Sequence, residues 1–300
     1  MTRVSGFLRS QARRAKPVAM QLRSALRETL EGWQEDIAPP WRDVIADVAL
    51  GFEQVDASLE LEPWEPIFPA RRGRTLPGAP VDAHMLRAFD GVAPEDVRCV
   101  ILGQDPYPCP ALATGRAFEA GNVARWRELD KMFSPSVRAV IQLTLAARTG
   151  DEHFLRGVER WPAILTAIER GMVDLEAPGA LADRWVASGV LLLNASLTLT
   201  RFRRDGDPHQ IRGHLRLWRP LVVRVLGHLA RRRTPVVFIG FGDAAAETLC
   251  AAGLDGSDAG DERVVLRPHP AAADEVLAQE NPFTLCNRRL EAIGAAAVDW

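Results

Sequence analysis

The sequence predicts an α/β fold, a three-layer α/β/α sandwich with a central four-stranded, mainly parallel sheet. Four short runs of residues are continuously apolar, without the two-residue alternation of a half-exposed strand. Such runs are typical of parallel strands that helices cover on both faces. Stretches with the apolar spacing of helices lie between them, so strands and helices alternate along the chain, which favours parallel strand pairing.

The predicted elements begin after residue 80. The predicted strands cover 97–102, 189–193, 235–239 and 263–266. The predicted helices cover 81–89, 136–148, 214–232, 243–252 and 283–293. Residues 60–80 are rich in proline, glycine and arginine and predict an irregular loop within the domain, because patterned segments flank it on both sides.

The first part of the chain is basic and poor in acidic residues. We expect residues 1–40 to form a basic N-terminal extension and residues 41–300 to form a single domain. The composition of the extension suits an organellar transit peptide, a DNA-contacting arm or a surface helix, and we favour the surface helix.

Composition narrows the class of protein. The chain of 300 residues has 37 basic and 39 acidic side chains and a formal charge of -2, so any contact with nucleic acid must be local. Apolar residues make up 47% and charged residues 25%, a globular balance. No apolar run reaches the roughly 18 residues of a membrane-spanning helix, so we expect no contact with a membrane.

The four cysteines are scattered, with no C-x-x-C pair and no secretory signal before them. This pattern predicts a protein of the reducing cytoplasm, although the basic N-terminus leaves organellar targeting open. The cysteines also lack the spacing of a zinc or iron-sulfur site, so we expect no metal and no cofactor.

Polar residues follow each predicted strand. The strands run into Gly103-Gln104-Asp105-Pro106-Tyr107, Asn194-Ala195-Ser196, Gly240-Phe241-Gly242-Asp243 and Arg267-Pro268-His269-Pro270. In open parallel sheets the ligand crevice lies outside the carboxyl ends of the strands. The sequence therefore predicts that an aspartate, an asparagine and a histidine converge on one site.

These segments resemble family 1 uracil-DNA glycosylase. The matching motifs occur in the family's order: G-Q-D-P-Y at 103–107, G-x-A-F at 115–118, S-P-S at 134–136, G-V-L-L-L-N at 189–194, V-V-F at 236–238, H-P at 269–270 and N-P-F-T-L-C-N at 281–287. The resemblance covers roughly residues 41–300. It implies a monofunctional hydrolase of N-glycosyl bonds that removes uracil from DNA in base excision repair.

The resemblance also implies roles for individual residues. Asp105 holds the attacking water and stabilises the positively charged sugar, and a neutral His269 donates a hydrogen bond to uracil O2. Asn194 reads the base through N3-H and O4, a pattern that cytosine reverses. Tyr107 excludes the methyl group of thymine, and Phe118 stacks on the base.

The remaining matched residues contact the base loop or the DNA backbone. Gln104 contributes contacts to the base or to the neighbouring loop. Ser134, Ser136 and Gly242 contact DNA phosphates, which position the protein without reading the base sequence. Because the target atom is unreachable inside a duplex, the nucleotide must be flipped out. The expected partners are uracil-containing DNA and free uracil as product, and we expect a monomer.

Simpler structural roles remain open for several of these residues. Asp105 and Asn194 could be helix caps, Tyr107 could be a packing residue, and Ser134 and Ser136 could form an N-cap pair. Two other functions also remain open. One is a DNA-binding or damage-sensing protein that keeps the pocket without turnover, and the other is a nucleotide-dependent oxidoreductase, because residues 240–245 imitate a dinucleotide fingerprint.

The sequence departs from the family at the parts that contact DNA. Pro108 stands where the family has histidine. Residues 271–274 read Ala-Ala-Ala-Asp where the family has Ser-Pro-Leu-Ser, so the serine that grips a phosphate is missing, and Ala273 stands in place of the leucine that wedges into the base stack. Asp243 replaces another phosphate-binding serine. A methyl group cannot fill the gap left by a flipped nucleotide. We therefore expect a preference for single-stranded or mismatched uracil, unless Arg267 or a residue in 275–280 supplies the wedge. We also expect weak binding of the family's DNA-mimicking inhibitor protein.

Overall fold

The fold is described from a computed structural model, which covers residues 19–131, 135–203, 206–255 and 261–300. Its main sheet has four parallel strands, β3 (Cys99–Gly103), β4 (Val190–Asn194), β5 (Val237–Phe241) and β6 (Val264–Arg267). They lie side by side in the order β4-β3-β5-β6. Every residue of β3, β4 and β5 is buried, as the continuous apolar runs predicted. The predicted four-stranded sheet is confirmed.

Helices pack on this sheet and on one another. These helices are α3 (Pro135–Thr149), α4 (Trp161–Glu169), α5 (Pro178–Ala187), α6 (Leu215–Ala230), α7 (Asp243–Ala251), α8 (Ala273–Leu277) and α9 (Pro282–Ala292). Helix α9 contacts β5 and β6 and packs on α3, whereas α7 contacts β3 and β5 and packs on α6. This arrangement confirms the predicted α/β sandwich.

The prediction of an α-helix over residues 81–89 is wrong. Turns occupy most of this segment, and a 3₁₀ helix covers Arg87–Phe89. Asp82 has a φ of 58°, a left-handed conformation that an α-helix does not contain. Phe89 is nevertheless buried. The spacing of apolar residues in this segment therefore reflects burial rather than an α-helix.

The beginning of the described chain belongs to the packed core. Two short strands, β1 (Met20–Gln21) and β2 (Glu60–Leu61), pair antiparallel, and helices α1 (Leu22–Thr29) and α2 (Arg42–Ile45) follow β1 along the chain. Leu22 and Leu26 are fully buried, a burial that stabilises by about 1.5–3 kcal/mol for each side chain. We therefore place the start of the packed domain before Leu22 rather than at Trp41.

Within the described ranges, no helix combines the length and the apolar character needed to cross a bilayer.

Candidate active site

The carboxyl ends of the parallel strands bring the predicted site segments to one edge of the sheet. Gly103 at the end of β3 pairs with Asn194 at the end of β4, and Phe241 of β5 pairs with Arg267 of β6. Asp105 therefore leaves the sheet beside Asn194, on the edge where the loop after β6 also begins. The convergence arises from the strand register, which a parallel sheet imposes on its strand ends.

Gly103 allows the Asn194 amide and the Phe118 ring to approach each other. A Cβ atom at Gly103 would lie 2.6 Å from Asn194 Oδ1 and 3.4 Å from a Phe118 ring carbon. Phe118 adopts a φ of 59°, which is uncommon for a residue with a side chain, and its ring packs edge-on against Phe241 with the centroids 5.2 Å apart. The amide and the ring thus both lie close to Gly103 at the end of β3.

Backbone hydrogen bonds fix the segments that carry Gln104 and Asn194. The Ala195 N–H donates to the Gly103 carbonyl and the Ser196 N–H donates to the Gln104 carbonyl, both at 2.9 Å. Asn194 is 3% exposed. No helix begins directly after Asn194 or after Asp105, so neither residue caps a helix as the simpler interpretation allowed.

The Asp105 carboxylate is buried in the loop after β3. Its Oδ2 accepts a hydrogen bond from Gln210 Nε2, while Oδ1 has no hydrogen-bond partner among the residues that the structure describes. Burial raises the pKa of Asp105 to about 6, and the side chains of Gln210 and Gln104 act in the opposite direction. An oxygen that is buried and free is available to a ligand or a water molecule.

The Tyr107 hydroxyl is buried while part of the ring remains exposed. Burial raises the pKa of this phenol, and the nearby Ser136 hydroxyl acts in the opposite direction. Tyr107 is therefore neutral at physiological pH. Pro108 follows it as an exposed residue, and its ring carries no hydrogen-bond donor.

The His269 ring has a defined tautomer. The Ala271 N–H donates to His269 Nδ1 at 3.1 Å. Because a backbone N–H can only donate, Nδ1 carries no proton, and the neutral ring must carry its hydrogen on Nε2. Burial lowers the pKa of His269, which keeps the ring neutral. The ring packs against Gly242, where an added Cβ would lie 3.1 Å from His269 Cβ.

Two of the residues predicted to contact phosphate lie at the starts of two different helices. Gly242 precedes α7 with a φ of 83°, a conformation that favours glycine. Ser136 lies in the first turn of α3, after Pro135 at the helix start, so it is not the N-cap residue. Ser134 lies outside the described residues.

The segment after His269 places Ala273 inward and Asp274 outward. Ala273 is the first residue of α8 and is 6% exposed, whereas Asp274 is exposed. Arg267 Nε donates to the Glu280 carbonyl at 2.9 Å, so backbone contacts occupy its guanidinium. In this structure, therefore, neither Ala273 nor Arg267 is placed as a free wedge.

Sequence reasoning missed Gln210 and the turn that carries it. Residues His209–His214 form a π-helical turn immediately before α6, a geometry that often marks functional sites. Thr200 Oγ1 contacts His209 Nδ1 at 2.9 Å and His214 Nε2 at 3.2 Å. Burial lowers the pKa of His214 to about 3, so this histidine is a neutral part of the core. The available signal was the cluster of polar residues just before the predicted helix.

Known proteins resemble this chain along most of its length. It is 32% identical over 235 residues to the uracil-DNA glycosylase of Bordetella avium, covering 76% of each protein. It is 31% identical over 235 residues to the uracil-DNA glycosylase of Parafrankia sp., covering 74% of this chain and 80% of the relative. The WT UNG crystal structure from Nitratifractor salsuginis is similar with a TM-score of 0.56 at 25% identity, over 90% of this chain and 96% of that one. No family model matches the chain.

Proposed function

Because the chain belongs to the uracil-DNA glycosylase family, we propose that Asp105, Asn194 and His269 carry out the hydrolysis of the bond between deoxyribose and uracil. Members of this family are hydrolases of N-glycosyl bonds and act in DNA repair. The assignment is supported by the positions of three groups at or after strand ends on one edge of the sheet: a carboxylate oxygen without a partner among the described residues, a buried amide and a neutral imidazole. An assay of alkali-induced strand breaks in uracil-containing oligonucleotides tests the activity.

Asp105 and His269 stabilise opposite charges in the transition state. As the bond from C1′ to N1 breaks, its electron pair goes to the base and the sugar becomes positive. Asp105 Oδ1 attracts the sugar and receives a proton from the water that forms the new bond to C1′. The His269 Nε2–H donates to uracil O2 as negative charge develops there.

Asn194, Tyr107 and Phe118 select the base. The Asn194 amide accepts from N3-H and donates to O4, whereas cytosine presents an acceptor at N3 and a donor at the neighbouring position. A buried amide that meets the wrong pattern leaves polar groups unpaired, which favours rejection. Phe118 stacks on the base, and Tyr107 occupies the space that the methyl group of thymine requires.

DNA backbone contacts hold the strand while the nucleotide is flipped out. Gly242 offers its backbone at the start of α7, and Ser136 offers a hydroxyl in the first turn of α3. Helix N-termini favour anions because their N–H groups point outward. We assign phosphate contacts to both, and to Ser134 from the sequence alone.

We expect a cytoplasmic monomer that releases free uracil, and light scattering measures its mass in solution.

We propose that the enzyme prefers uracil in single-stranded DNA or in U·G mismatches over U·A pairs. The support is that neither the buried Ala273 nor Arg267, whose guanidinium donates to backbone carbonyls, is placed to fill the gap that a flipped nucleotide leaves. Because unpairing costs a few kcal/mol, we expect U·A to be processed at least about tenfold more slowly. Single-turnover rates on three oligonucleotides of one sequence measure this. Equal rates on all three would refute the preference.

We further propose that the family's DNA-mimicking inhibitor protein binds this enzyme weakly. Such an inhibitor is expected to use the leucine wedge and the phosphate contacts, whereas this chain has a buried Ala273 and exposed Asp243 and Asp274. Exposed carboxylates repel an acidic DNA mimic. Titration of uracil excision against the inhibitor measures the affinity, and stoichiometric inhibition at nanomolar protein contradicts the proposal.

A further inference from the structure

We propose that Gln210 is a positioning residue that holds the Asp105 carboxylate with Oδ1 facing the reacting sugar and water. This inference rests on the catalytic role proposed above for Asp105. It assigns a function to the π-helical turn, a feature that the sequence motifs do not include.

The contact is direct and shielded from solvent. Gln210 is 3% exposed, and its Nε2 donates to Asp105 Oδ2. A carboxylate with one oxygen held in this way cannot rotate about its Cβ–Cγ bond without breaking the hydrogen bond. The other oxygen, Oδ1, is the one left without a partner among the described residues. The hydrogen bond therefore decides which oxygen is available for catalysis.

A second hydrogen bond fixes which end of the Gln210 amide faces Asp105. The Asp207 N–H donates to Gln210 Oε1 at 3.4 Å. A backbone N–H requires an acceptor, so the oxygen of the amide lies on this side and the NH₂ group lies toward the carboxylate. Asp207 is itself anchored, because its Oδ1 accepts from the His209 N–H at 2.9 Å.

The turn that carries Gln210 is held from several sides. His209 Nδ1 contacts Thr200 Oγ1 at 2.9 Å, and the Ile211 N–H donates to the Asp207 carbonyl at 3.0 Å. Gly213 lies against α1, where an added Cβ would be 2.8 Å from a Leu22 methyl carbon. A side chain mounted on so constrained a turn can orient a neighbour at little further loss of entropy.

The side chain of Gln104 also lowers the pKa of Asp105, but the two prolines that follow Asp105 give its carboxylate little support. Pro106 and Pro108 contribute no backbone N–H, and the exposed Pro108 has no polar side chain. The Gln210 hydrogen bond comes instead from a residue that is 105 positions away in sequence. It also favours the ionised form of Asp105, since it lowers a pKa that burial raises.

The test compares Gln210→Leu and Gln210→Glu with the unaltered enzyme. Loss of the donor in Gln210→Leu is expected to lower kcat by about 10- to 100-fold with little change in KM, since misplaced catalytic groups reduce rates on this scale. In a plot of kcat/KM against pH, the acidic limb of the unaltered enzyme is expected near pH 6. In Gln210→Leu this limb should move to higher pH, because loss of the hydrogen bond raises the pKa of Asp105. Gln210→Glu keeps the shape of the side chain but adds a like charge, and it should move the limb further in the same direction.

A matched control separates positioning from loss of stability. Gln142 on α3 is also buried, and its Nε2 donates to the carbonyls of Phe154 and Gly157. Gln142→Leu should lower the melting temperature without moving the acidic limb. The inference is overturned if Gln210→Leu keeps the limb of the unaltered enzyme, if kcat does not fall, or if Gln142→Leu moves the limb equally. Gln210→Glu decides the matter by the same limb if the leucine variant does not fold.

The inference and the proposed function can fail separately. If Asp105→Asn abolishes excision while Gln210→Leu changes neither kcat nor the pH limb, the role of Gln210 alone is wrong. If Asp105→Asn excises uracil at the normal rate, the catalytic role of Asp105 is wrong, and the role of Gln210 falls with it.

Discussion

Asp105→Asn is expected to lower the rate of uracil excision by about 10²- to 10⁴-fold. The substitution preserves shape, and the asparagine carbonyl can still accept the hydrogen bond from Gln210. Its NH₂ group would then occupy the position of Oδ1, where it can neither accept a proton from water nor stabilise a positive sugar. Single-turnover excision from a uracil oligonucleotide, followed by alkaline cleavage, measures the loss.

The control for this substitution is Asp43→Asn, which alters an exposed carboxyl group on α2. It should excise uracil at the normal rate. Binding of uracil-containing DNA by Asp105→Asn provides the second readout. A protein that only senses damage should bind this DNA equally well with and without the substitution. Such a protein should also show no turnover in its unaltered form. An Asp105→Asn protein with normal turnover would remove the carboxylate from the mechanism.

Asn194→Asp is expected to reduce uracil excision by about 10²- to 10³-fold, the usual effect of losing one donor to a developing charge. The new carboxyl group is buried, so its protonated form is favoured. That form can accept from the amino group of cytosine and donate to its N3. The same variant should therefore gain measurable cytosine excision, and parallel assays on uracil and cytosine oligonucleotides provide the ratio.

Asn287→Asp serves as the matched control. Asn287 lies on α9 and exchanges hydrogen bonds of 2.9 Å with the backbone of Val298, so the substitution should lower the melting temperature and leave the uracil-to-cytosine ratio unchanged. An unchanged ratio in Asn194→Asp itself would show that another group reads the base.

The sheet could be predicted from the sequence because its strands are buried on both faces. Burial of this kind leaves an uninterrupted apolar run, as in residues 190–193 of β4, and such a run is visible without any knowledge of its neighbours. The strand boundaries are harder to predict. The first predicted strand begins at Val97, whereas β3 begins only at Cys99. The Val97 carbonyl instead accepts a hydrogen bond from the Arg232 side chain at 2.7 Å, and these two residues are 135 positions apart in the sequence.

The helices show where local patterns are insufficient. Residues 81–89 have helical spacing, yet the left-handed Asp82 breaks the helix, and Phe89 is buried from a 3₁₀ turn instead. Helices α4 and α5 went unpredicted in a stretch that contains several polar and glycine residues. Their formation depends on packing, for instance of Trp185, which lies against Phe283 with the ring centroids 6.0 Å apart.

The candidate site was partly predictable for the same reason. The ends of parallel strands must meet at one edge, so Asp105 and Asn194 could be placed together from their positions after two apolar runs. Gln210 could not be placed in the site from the sequence, because it does not directly follow a predicted strand. Its contact with Asp105 depends on the π-helical geometry of His209–His214. A cluster of histidine, glutamine and aspartate before a helix indicates polar contacts without naming their partners.

The contact between Leu22 and Gly213 has a practical consequence for anyone who shortens this protein. The basic N-terminus looks dispensable, and cutting at residue 40 would seem a safe way to improve crystals. Such a cut would delete α1, including Leu22, which packs against the turn that carries Gln210 and its hydrogen bond to Asp105. Trimming should therefore stop before Leu22, or the loss of repair activity will be mistaken for a role of the basic residues in gripping DNA.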